Sequence, residues 1–350
     1  MFKNNLNYKQ TQQTHVITGD ILKLKKALVL LALTSSILSS PLYANMFKGV
    51  NLSGAEFGSR KLPGKMYFNY IYPSTQEVQF FLDEGMNTFR LPFKWERIQN
   101  KMYGELNKKE LSKIRDLVDY ITQQNAYIIL DVHNYARYYG KRIGDPELPI
   151  DAFSDLWAKL AAEFTNNDQV MLGLMNEPKG METEVWLNAA NAAIKSIREQ
   201  GNYSTILVPG NGYTGAHSWH SNWYGTPNSE VLRHIEDPED NYLIEAHQYF
   251  DGNSSGTSDQ CVSETVGVSR LVAFTEWLQE TGQKGFLGEF GVADNLVCLA
   301  ALDNMLEYIR NNDDVWEGWT YWSAGPWWGN YMFELPKEDT IKLEAIKGYL

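Results

Sequence analysis

Cysteine, basic charge and long apolar runs are all scarce in this sequence of 350 residues. Two Cys are too few for a disulfide-built scaffold. Lys and Arg number 31 against 43 Asp and Glu, and the net charge of −12 excludes the basic footprint that nucleic acid or anionic lipid requires. Aromatic residues are abundant instead, with 11 Trp and 20 Tyr. Because their polar tips need partners, this abundance predicts aromatic side chains in grooves and on rims as well as in a core.

The amino-terminal segment has the order of a secretory signal peptide. Three lysines within residues 23–26 precede the apolar run Ala27–Leu33, and small residues follow up to Ala44. This order predicts cleavage after Ala44 and an extracellular or periplasmic protein, with an uncleaved membrane anchor as the alternative. We therefore expect residues 1–44 to be an N-terminal extension and signal peptide, and residues 45–350 to be one domain.

Removal of residues 1–44 would make the net charge more negative, and export would change the interpretation of the cysteines. Five of the 31 basic and one of the 43 acidic residues lie within residues 1–44, so the remainder carries a net charge of −16, which favours a neutral or cationic partner. In an oxidising compartment Cys261 and Cys298 are free to pair, and two buried free thiols are the alternative. Since the exported chain has only these two, we favour a disulfide.

Short apolar runs alternate with helical patterns after residue 46. The sequence predicts strands at Phe47–Leu52, Thr88–Leu91, Tyr127–Leu130, Met171–Met175, Ile206–Val208, Tyr242–Ala246, Gly285–Leu287 and Glu317–Tyr321. It predicts helices at Thr75–Glu84, Lys108–Gln124, Phe153–Phe164, Thr183–Glu199, Ser263–Glu280 and Leu299–Asn311. Eight alternations in about 300 residues predict an α/β fold, a (β/α)8 TIM barrel. A doubly wound sheet is the alternative, but Ser53–Gly58 after the first strand lacks the G-x-G-x-x-G spacing of such a sheet.

Polar and aromatic residues follow the predicted strands, where a barrel carries its active site. They are Arg90, Asp131, His133, Asn134, Tyr135, Asn176, Glu177, His247, Tyr249, Glu289 and Trp322. Two of them, Glu177 and Glu289, are glutamates on the fourth and seventh strands. A pair of carboxyls across a cleft is what glycosidic bond cleavage requires, since one protonates the leaving oxygen and the other meets the developing cation. A salt bridge would explain either Glu alone, but not the neutral donors and aromatics around both.

Six segments at these strand ends resemble glycoside hydrolase family 5, the large cellulase family. They are Phe89–Pro92, Asp131–Tyr135, Leu174–Pro178, His247–Tyr249, Gly288–Phe290 and Trp319–Trp322. The resemblance extends from about residue 46 to residue 335. Asn-Glu-Pro at 176–178 is only moderately specific alone, whereas the six segments in this order are strongly specific.

The resemblance implies a retaining mechanism, with Glu177 as acid/base and Glu289 as nucleophile. It also implies that Arg90 and Tyr249 hold the nucleophile and that His247 contacts the acid/base. Asn176 would bond the sugar 2-hydroxyl, His133 would line the −1 subsite, and Trp322 would form the floor of that subsite. An Arg and a Tyr that donate hydrogen bonds would keep Glu289 ionised. Retention requires the two carboxyl groups about 5–5.5 Å apart, and we expect this separation.

Two further segments, His133–Tyr138 and Asp251–Thr257, resemble the secreted endoglucanases of fungi and plant-associated bacteria, a branch that joins the counterparts of Cys261 and Cys298. The implied function is a secreted endo-β-1,4-glucanase that acts on cellulose or related β-glucans. A β-mannanase or xyloglucanase on the same scaffold is one alternative. A non-catalytic polysaccharide-binding protein is another, but it would be expected to lose one of the two glutamates.

Flat aromatic rings in loops can stack on the apolar faces of sugar rings. The substrate-binding residues that we expect are Asn134, Tyr135, Trp219, Trp223, Trp322, Trp327 and Trp328. In contrast, Trp157, Trp186 and Trp277 lie on helical patterns and are expected to pack in the outer layer.

Metal-binding motifs are absent from the sequence. It has no His-Glu-x-x-His motif and no Cys cluster, and five scattered histidines follow residue 44. We expect no catalytic metal and no cofactor. We expect a monomer whose partner is a β-glucan polysaccharide, with no nucleic acid and, after signal removal, no membrane contact.

Overall fold

The structure, a computed structural model, describes residues 46–350. Eight parallel strands form a closed barrel in which chain neighbours pair and the last strand pairs with the first. They are β1 (Phe47–Leu52), β2 (Thr88–Phe93), β3 (Tyr127–Val132), β4 (Val170–Gly173), β5 (Ile206–Pro209), β6 (Tyr242–His247), β7 (Gly285–Glu289) and β8 (Trp316–Ala324). The predicted TIM barrel is confirmed, and all eight predicted strands are present with ends that differ by a few residues.

Helices connect the strands on the outside of the barrel. They are α1 (Thr75–Asp83), α2 (Trp95–Ile98), α3 (Lys108–Gln123), α4 (Ile150–Ala162), α5 (Thr183–Glu199), α6 (Asn228–Val231), α7 (Val266–Thr281), α8 (Leu296–Arg310) and α9 (Ile341–Lys347). Two 3-10 turns, Ala216–Ser218 and Leu232–His234, and a two-stranded hairpin of Arg137–Tyr138 with Lys141–Arg142 lie in the loops. The six predicted helices are confirmed, and the short α2, α6 and α9 were not predicted.

Local chemistry fixes the ends of these helices. At the start of α1 the Ser74 hydroxyl accepts from the Glu77 N–H at 3.3 Å, and the Glu77 carboxylate accepts from the Ser74 N–H at 2.7 Å. This reciprocal capping box satisfies two amide groups that the helix itself leaves unpaired. At the end of α7, Gly282 adopts φ 71°, a left-handed conformation that glycine takes without a Cβ penalty.

The barrel interior has two layers of different chemistry. The apolar layer lies towards the amino ends of the strands and consists of Ile129, Met171, Leu207, Leu243 and Phe286. The charged layer lies towards the carboxyl ends and consists of Arg90, Asp131, Glu245, His247 and Glu289. Because side chains alternate along a strand, residues two apart on β3 and on β6 face the same interior, and each of these two strands contributes to both layers.

The outer layer buries large aromatics under the helices. Trp157, Trp186 and Trp277 are fully buried, and each indole N–H donates to a backbone carbonyl, at 3.1, 2.6 and 2.9 Å respectively. Their predicted role in outer-layer packing is confirmed. Each ring therefore fills the space between helix and barrel without leaving its polar atom unpaired.

A disulfide joins Cys261, in the loop before α7, to Cys298 in α8, as predicted. Within residues 46–350, no helix combines the length and the apolar character needed to cross a bilayer. The predicted signal peptide at residues 1–44 lies outside the described residues.

Candidate active site

Arg90 lies on β2 with its side chain wholly buried at the centre of the charged layer. Its guanidinium is 3.2 Å from the Asp131 carboxylate and 3.0 Å from those of Glu245 and Glu289. Burial by itself lowers the pKa of Arg90, but the three carboxylates raise it above its ordinary value. Arg90 is therefore a permanent cation, and its paired carboxylates hold it in one position because an unpaired buried charge is costly.

Glu289 lies at the end of β7, where both of its carboxylate oxygens accept hydrogen bonds. Arg90 Nη1 donates to Oε1 at 3.0 Å, and the Tyr249 hydroxyl donates to Oε2 at 2.9 Å. Burial raises the pKa of Glu289 to about 7, although the positive charges of His247 and Arg90 oppose that rise. The predicted contacts are present, but burial makes Glu289 less acidic than those contacts alone suggest. Burial and the Glu289 charge also raise the pKa of Tyr249 well above its ordinary value, so its hydroxyl stays a donor.

His247, at the end of β6, lies between the carboxylates. Its Nδ1 is 3.0 Å from Glu177 Oε1 and 3.4 Å from Glu289 Oε2, and its Nε2 is 3.3 Å from Glu245 Oε1. Burial lowers the pKa of His247, but the surrounding carboxylates outweigh burial and raise it to about 10. The ring is thus an imidazolium that donates on both sides. Around it, an oxygen of Glu177 and an oxygen of Glu289 lie within 4.8 Å of each other.

Glu177 follows β4 in a strained backbone conformation. Its φ of 44° lies in the left-handed region, which a side chain with a Cβ rarely adopts, and such strain is concentrated at functional sites. The preceding residue, Asn176, accepts from Arg90 Nη2 at 2.9 Å through Oδ1. Its buried Nδ2 has no hydrogen-bond partner within residues 46–350, so this amide keeps two free donors beside Glu177.

His133 forms the opposite wall of the site. Its Nδ1 is 2.8 Å from Asp131 Oδ2, and its ring stacks on Trp322 with centroids 5.5 Å apart. Burial lowers the pKa of His133 well below its ordinary value, and the positive charges of Lys94 and Arg90 lower it further. The imidazole is therefore neutral, donates from Nδ1 to Asp131 and leaves Nε2 as an acceptor, which the Tyr135 hydroxyl faces at 3.5 Å. Burial also raises the pKa of Asp131 to about 7, with Arg90 opposing the rise.

An open cleft made of two cavities crosses the carboxyl end of the barrel, and Tyr135 lines both. The Glu177 cavity, of about 450 Å³, is lined by Glu177, Lys179, Tyr213, Trp223, His247 and Tyr249 among others. The Trp322 cavity, of about 510 Å³, is lined by Phe57, Lys94, His133, Asn134, Trp322 and Trp328 among others. Both volumes are in the range of small-molecule sites, and their joint extent fits an extended ligand.

The family model Cellulase (glycosyl hydrolase family 5) matches residues 50–325. This chain belongs to glycosyl hydrolase family 5. It is 38% identical over 308 residues to the probable endo-beta-1,4-glucanase B of Aspergillus oryzae, covering 86% of this chain and 90% of that protein. It is 42% identical over 287 residues to endoglucanase gh5-1 of Neurospora crassa, covering 81% and 71% respectively.

Solved structures of family 5 enzymes superpose on the barrel. The structure of XacCel5A in complex with cellopentaose has a TM-score of 0.86 and 47% identity, covering 87% of this chain and 99% of that chain. An endo-beta-1,4-glucanase from Xanthomonas axonopodis pv. citri has a TM-score of 0.85 and 46% identity, covering 87% and 98%. The chain is thus a glycoside hydrolase with a TIM barrel.

The structure brings most of the sequence-predicted residues of this family 5 site together. Those that line the cleft or contact its glutamates are Arg90, His133, Tyr135, Glu177, Trp223, His247, Tyr249, Glu289, Trp322 and Trp328, and Asn176 joins them through its hydrogen bond with Arg90. Asn134 also borders the Trp322 cavity, but protein groups already use its amide. It accepts from the Trp95 N–H at 2.8 Å and donates to Glu96 and to the Arg137 carbonyl. Asn134 therefore shapes the loop rather than offering free polar atoms to a sugar.

The expectation that Trp219 stacks on a sugar is wrong. Trp219 is 0% exposed and packs against Phe274 and Trp277, with ring centroids 4.7 and 5.2 Å away. A 3-10 turn directs its indole into the helix layer, where the apolar rings exclude water, and the sequence gives no sign of that direction. Trp327 is 51% exposed with φ 70°, and neither cavity of the cleft includes it.

Sequence reasoning missed Glu245 and the glycine that makes room for it. Glu245 contacts both Arg90 and His247, and a Cβ on Gly288 would lie 2.1 Å from Glu245 Oε1. Only glycine at 288 allows this carboxylate to sit beside β7. The available signal was a charged residue inside an apolar strand two positions before His247, a spacing that places both on the barrel interior.

Proposed function

We propose that this family 5 protein is a secreted endo-β-1,4-glucanase that cleaves internal bonds of cellulose or related β-glucans with retention of configuration. The observation that carries the proposal is that an oxygen of Glu177 and an oxygen of Glu289 lie within 4.8 Å of each other, with the His247 ring in contact with both carboxylates. Retaining enzymes hold their carboxyl groups about 5–5.5 Å apart, whereas inverting enzymes need about 6.5–9.5 Å to admit a water. The similar endo-beta-1,4-glucanases, and the cellopentaose in the similar XacCel5A structure, support a β-1,4-glucan substrate.

In the first step Glu289 is the nucleophile and Glu177 the general acid. A Glu289 oxygen forms a bond to the anomeric carbon while the bond from that carbon to the leaving oxygen breaks, and Glu177 gives that oxygen its proton. Arg90 and Tyr249 fix the nucleophile by their hydrogen bonds. Because the nucleophile is already held in place, the reaction avoids the entropic cost of bringing two free reactants together.

The excess of negative charge in the site favours retention of the proton that is donated in this step. Four carboxylates surround two cations, and they are Asp131, Glu177, Glu245 and Glu289 around Arg90 and His247. Since excess buried negative charge disfavours full ionisation, the cluster retains a proton near neutral pH. A site of this composition supplies both an acid and a carboxylate nucleophile at the same pH.

In the second step the roles reverse. Glu177, now a carboxylate, takes a proton from water, the water oxygen bonds to the anomeric carbon, and the ester bond to Glu289 breaks. The free Asn176 amide donors suit the sugar 2-hydroxyl, and the neutral His133 Nε2 accepts from a further hydroxyl. Both contacts lie beside the carbon that changes charge, where hydrogen bonds contribute most to the transition state.

We assign the sugar units to the two cavities on either side of the cut. Trp322 forms the floor next to the nucleophile, and Trp328, stacked on Tyr331 with centroids 4.3 Å apart, extends that apolar floor. On the leaving-group side lie Trp223 and the Lys179 ammonium, which is 4.8 and 4.4 Å from the ring centroids of Tyr135 and Tyr213.

We further propose that residues 1–44 are an extension and signal peptide and that residues 45–350 form one secreted catalytic domain. The Cys261–Cys298 bond supports this, since disulfides persist in oxidising compartments. We propose that it acts as a monomer, without metal or cofactor.

The test is to incubate the protein with carboxymethylcellulose, barley β-glucan, mannan and xyloglucan and to measure both the number of new reducing ends and the viscosity of the solution. We expect rapid viscosity loss with few new reducing ends on the first two substrates, which marks endo cleavage. Faster hydrolysis of mannan or xyloglucan would show that the preferred substrate is that polysaccharide, and the proposed retaining mechanism would still stand.

Two variants test the chemistry. We expect Glu289→Ala to lose at least about 10⁴-fold in activity, with partial rescue by azide, which can occupy the vacated space and attack the anomeric carbon. Glu177→Gln should lose as much on polymers but retain activity on an aryl cellobioside whose leaving group needs no proton. The surface variant Glu163→Gln is the control. Full activity of Glu289→Ala would refute the nucleophile assignment.

A further inference from the structure

A third cavity adjoins the Glu177 cavity and shares the Trp223 indole with it. This distal cavity measures about 590 Å³ and is lined by Arg142, Asp145, Glu182, Trp223 and Tyr224 among others. We infer that it is a further sugar-binding subsite on the leaving-group side, which holds β-1,4-linked units beyond those in the Glu177 cavity. The inference rests on the proposed function and identifies where the polymer continues.

Trp223 connects the two cavities. Its side chain is 61% exposed, and its ring packs edge-on against Tyr224 with centroids 4.9 Å apart. Tyr224 in turn lies against Gly212, where a Cβ would be 2.4 Å from the Tyr224 ring. The glycine thus brings the aromatic wall directly against the Glu177 cavity. Since Trp223 lines both cavities, a stiff chain that runs from the Glu177 cavity to the distal cavity passes this exposed ring, and a flat ring is a suitable platform for an apolar sugar face.

Beyond the indole, the distal cavity offers fixed donors and a free acceptor. The Arg142 guanidinium donates to Asp145 Oδ1 at 2.7 and 3.2 Å and also to the Gly180 carbonyl, so its plane is held in one orientation. Glu182 directly precedes α5 but makes no capping hydrogen bond with its side chain. Its Oε2 faces Gly225, where a Cβ would lie 3.3 Å away.

The occupant that this chemistry fits is a neutral polyhydroxyl chain. A planar guanidinium and two carboxylates provide the donors and acceptors that neighbouring hydroxyls use, and the aromatic ring covers the apolar face. A polyanion is disfavoured by Asp145 and Glu182 and by the net charge of −12. Continuity with the cavity that contains Glu177 points to the substrate chain itself rather than to an unrelated ligand.

The test uses cellohexaose labelled with ¹⁸O at its reducing end, with fragment lengths measured by mass spectrometry. Glu182→Ala and Arg142→Met change only the distal cavity, whereas Trp223→Ala changes both. We expect these variants to reduce the share of labelled fragments of three or more sugars about 3- to 10-fold, which is the effect of lost hydrogen bonds or stacking. Hydrolysis of cellotetraose at its central bond should be unchanged in Glu182→Ala and Arg142→Met, because neither sugar of its leaving half reaches the distal cavity.

Tyr203→Ala is the matched control, since this aromatic residue is also largely exposed in a loop but lies outside the lining of all three cavities. It should leave the fragment pattern unchanged. A shift in Trp223→Ala alone, with wild-type patterns in Glu182→Ala and Arg142→Met, overturns the distal subsite and limits binding to the Glu177 cavity. Equal loss at every bond, accompanied by a lower melting temperature, also overturns it, because that is a structural effect. If the wild type cleaves no β-glucan, the proposed function fails instead.

Discussion

The two layers inside the barrel share strands β3, β6 and β7 but differ in what they contribute to the protein. The apolar layer, Ile129 with its four neighbours, is dry and lacks polar atoms that need partners, so its contribution is close packing. The charged layer, nearer the carboxyl ends of the strands, buries Arg90 and His247 among carboxylates and, among residues 46–350, leaves the Asn176 amide nitrogen without a hydrogen-bond partner. The charged layer therefore lowers the stability of the fold, since buried unpaired polar groups and like charges are costly, whereas the apolar layer raises it.

The largest effect should come from removing the central cation of the charged layer. Arg90→Met leaves three buried carboxylates without their shared partner, so we expect a destabilisation of about 3–5 kcal/mol and loss of nearly all activity. Thermal denaturation and hydrolysis of barley β-glucan measure both effects. The control Arg115→Met removes an exposed ion pair with Glu163 and should cost less than about 1 kcal/mol. Similar effects in the two variants would contradict the central role of Arg90.

The apolar layer should respond in stability alone. Met171→Ala removes a fully buried side chain, and we expect a loss of about 2–5 kcal/mol from lost burial and the cavity left behind. The kcat of the folded enzyme should stay within about twofold, because no member of this layer lines either cavity of the cleft. Denaturant unfolding and kcat at 25 °C provide the measurement. A large fall in kcat without a fall in stability would contradict the claim that the apolar layer contributes to stability alone.

The smallest effect is a gain in stability from replacing Glu289, the proposed nucleophile. The pKa of Glu289 is raised to about 7 in the folded protein, so ionisation penalises folding. That penalty is absent below the ordinary pKa of about 4.5 and is complete above pH 7. Glu289→Gln should therefore raise the melting temperature relative to wild type at pH 8 by a few degrees. It should raise it less, or not at all, at pH 4.5. The opposite pH trend would show that the pairing with Arg90 outweighs burial.

The fold and the two glutamates were predictable because each depends on short-range patterns. Strand-length apolar runs at even spacing are enough to define a barrel, and polar residues after those strands are enough to locate its active end. Glu245 was not predicted because its role depends on Arg90 from another strand and on the space at Gly288. Trp219 was assigned to the cleft in error because loop residues in sequence carry no sign of which side they face. The distal cavity depends on the spatial meeting of three loops, around Arg142, Glu182 and Trp223, which no linear motif records.

The central claim is that Glu177 and Glu289 cleave β-1,4-glucan by double displacement, and the anomeric form of the first product tests it most directly. Proton NMR of cellopentaose during the first minutes of hydrolysis, before mutarotation, distinguishes the two outcomes. The account predicts that the new reducing end appears first as the β-anomer, since each of two displacements inverts the carbon. First appearance of the α-anomer would contradict it, because a single displacement by water inverts the anomeric carbon.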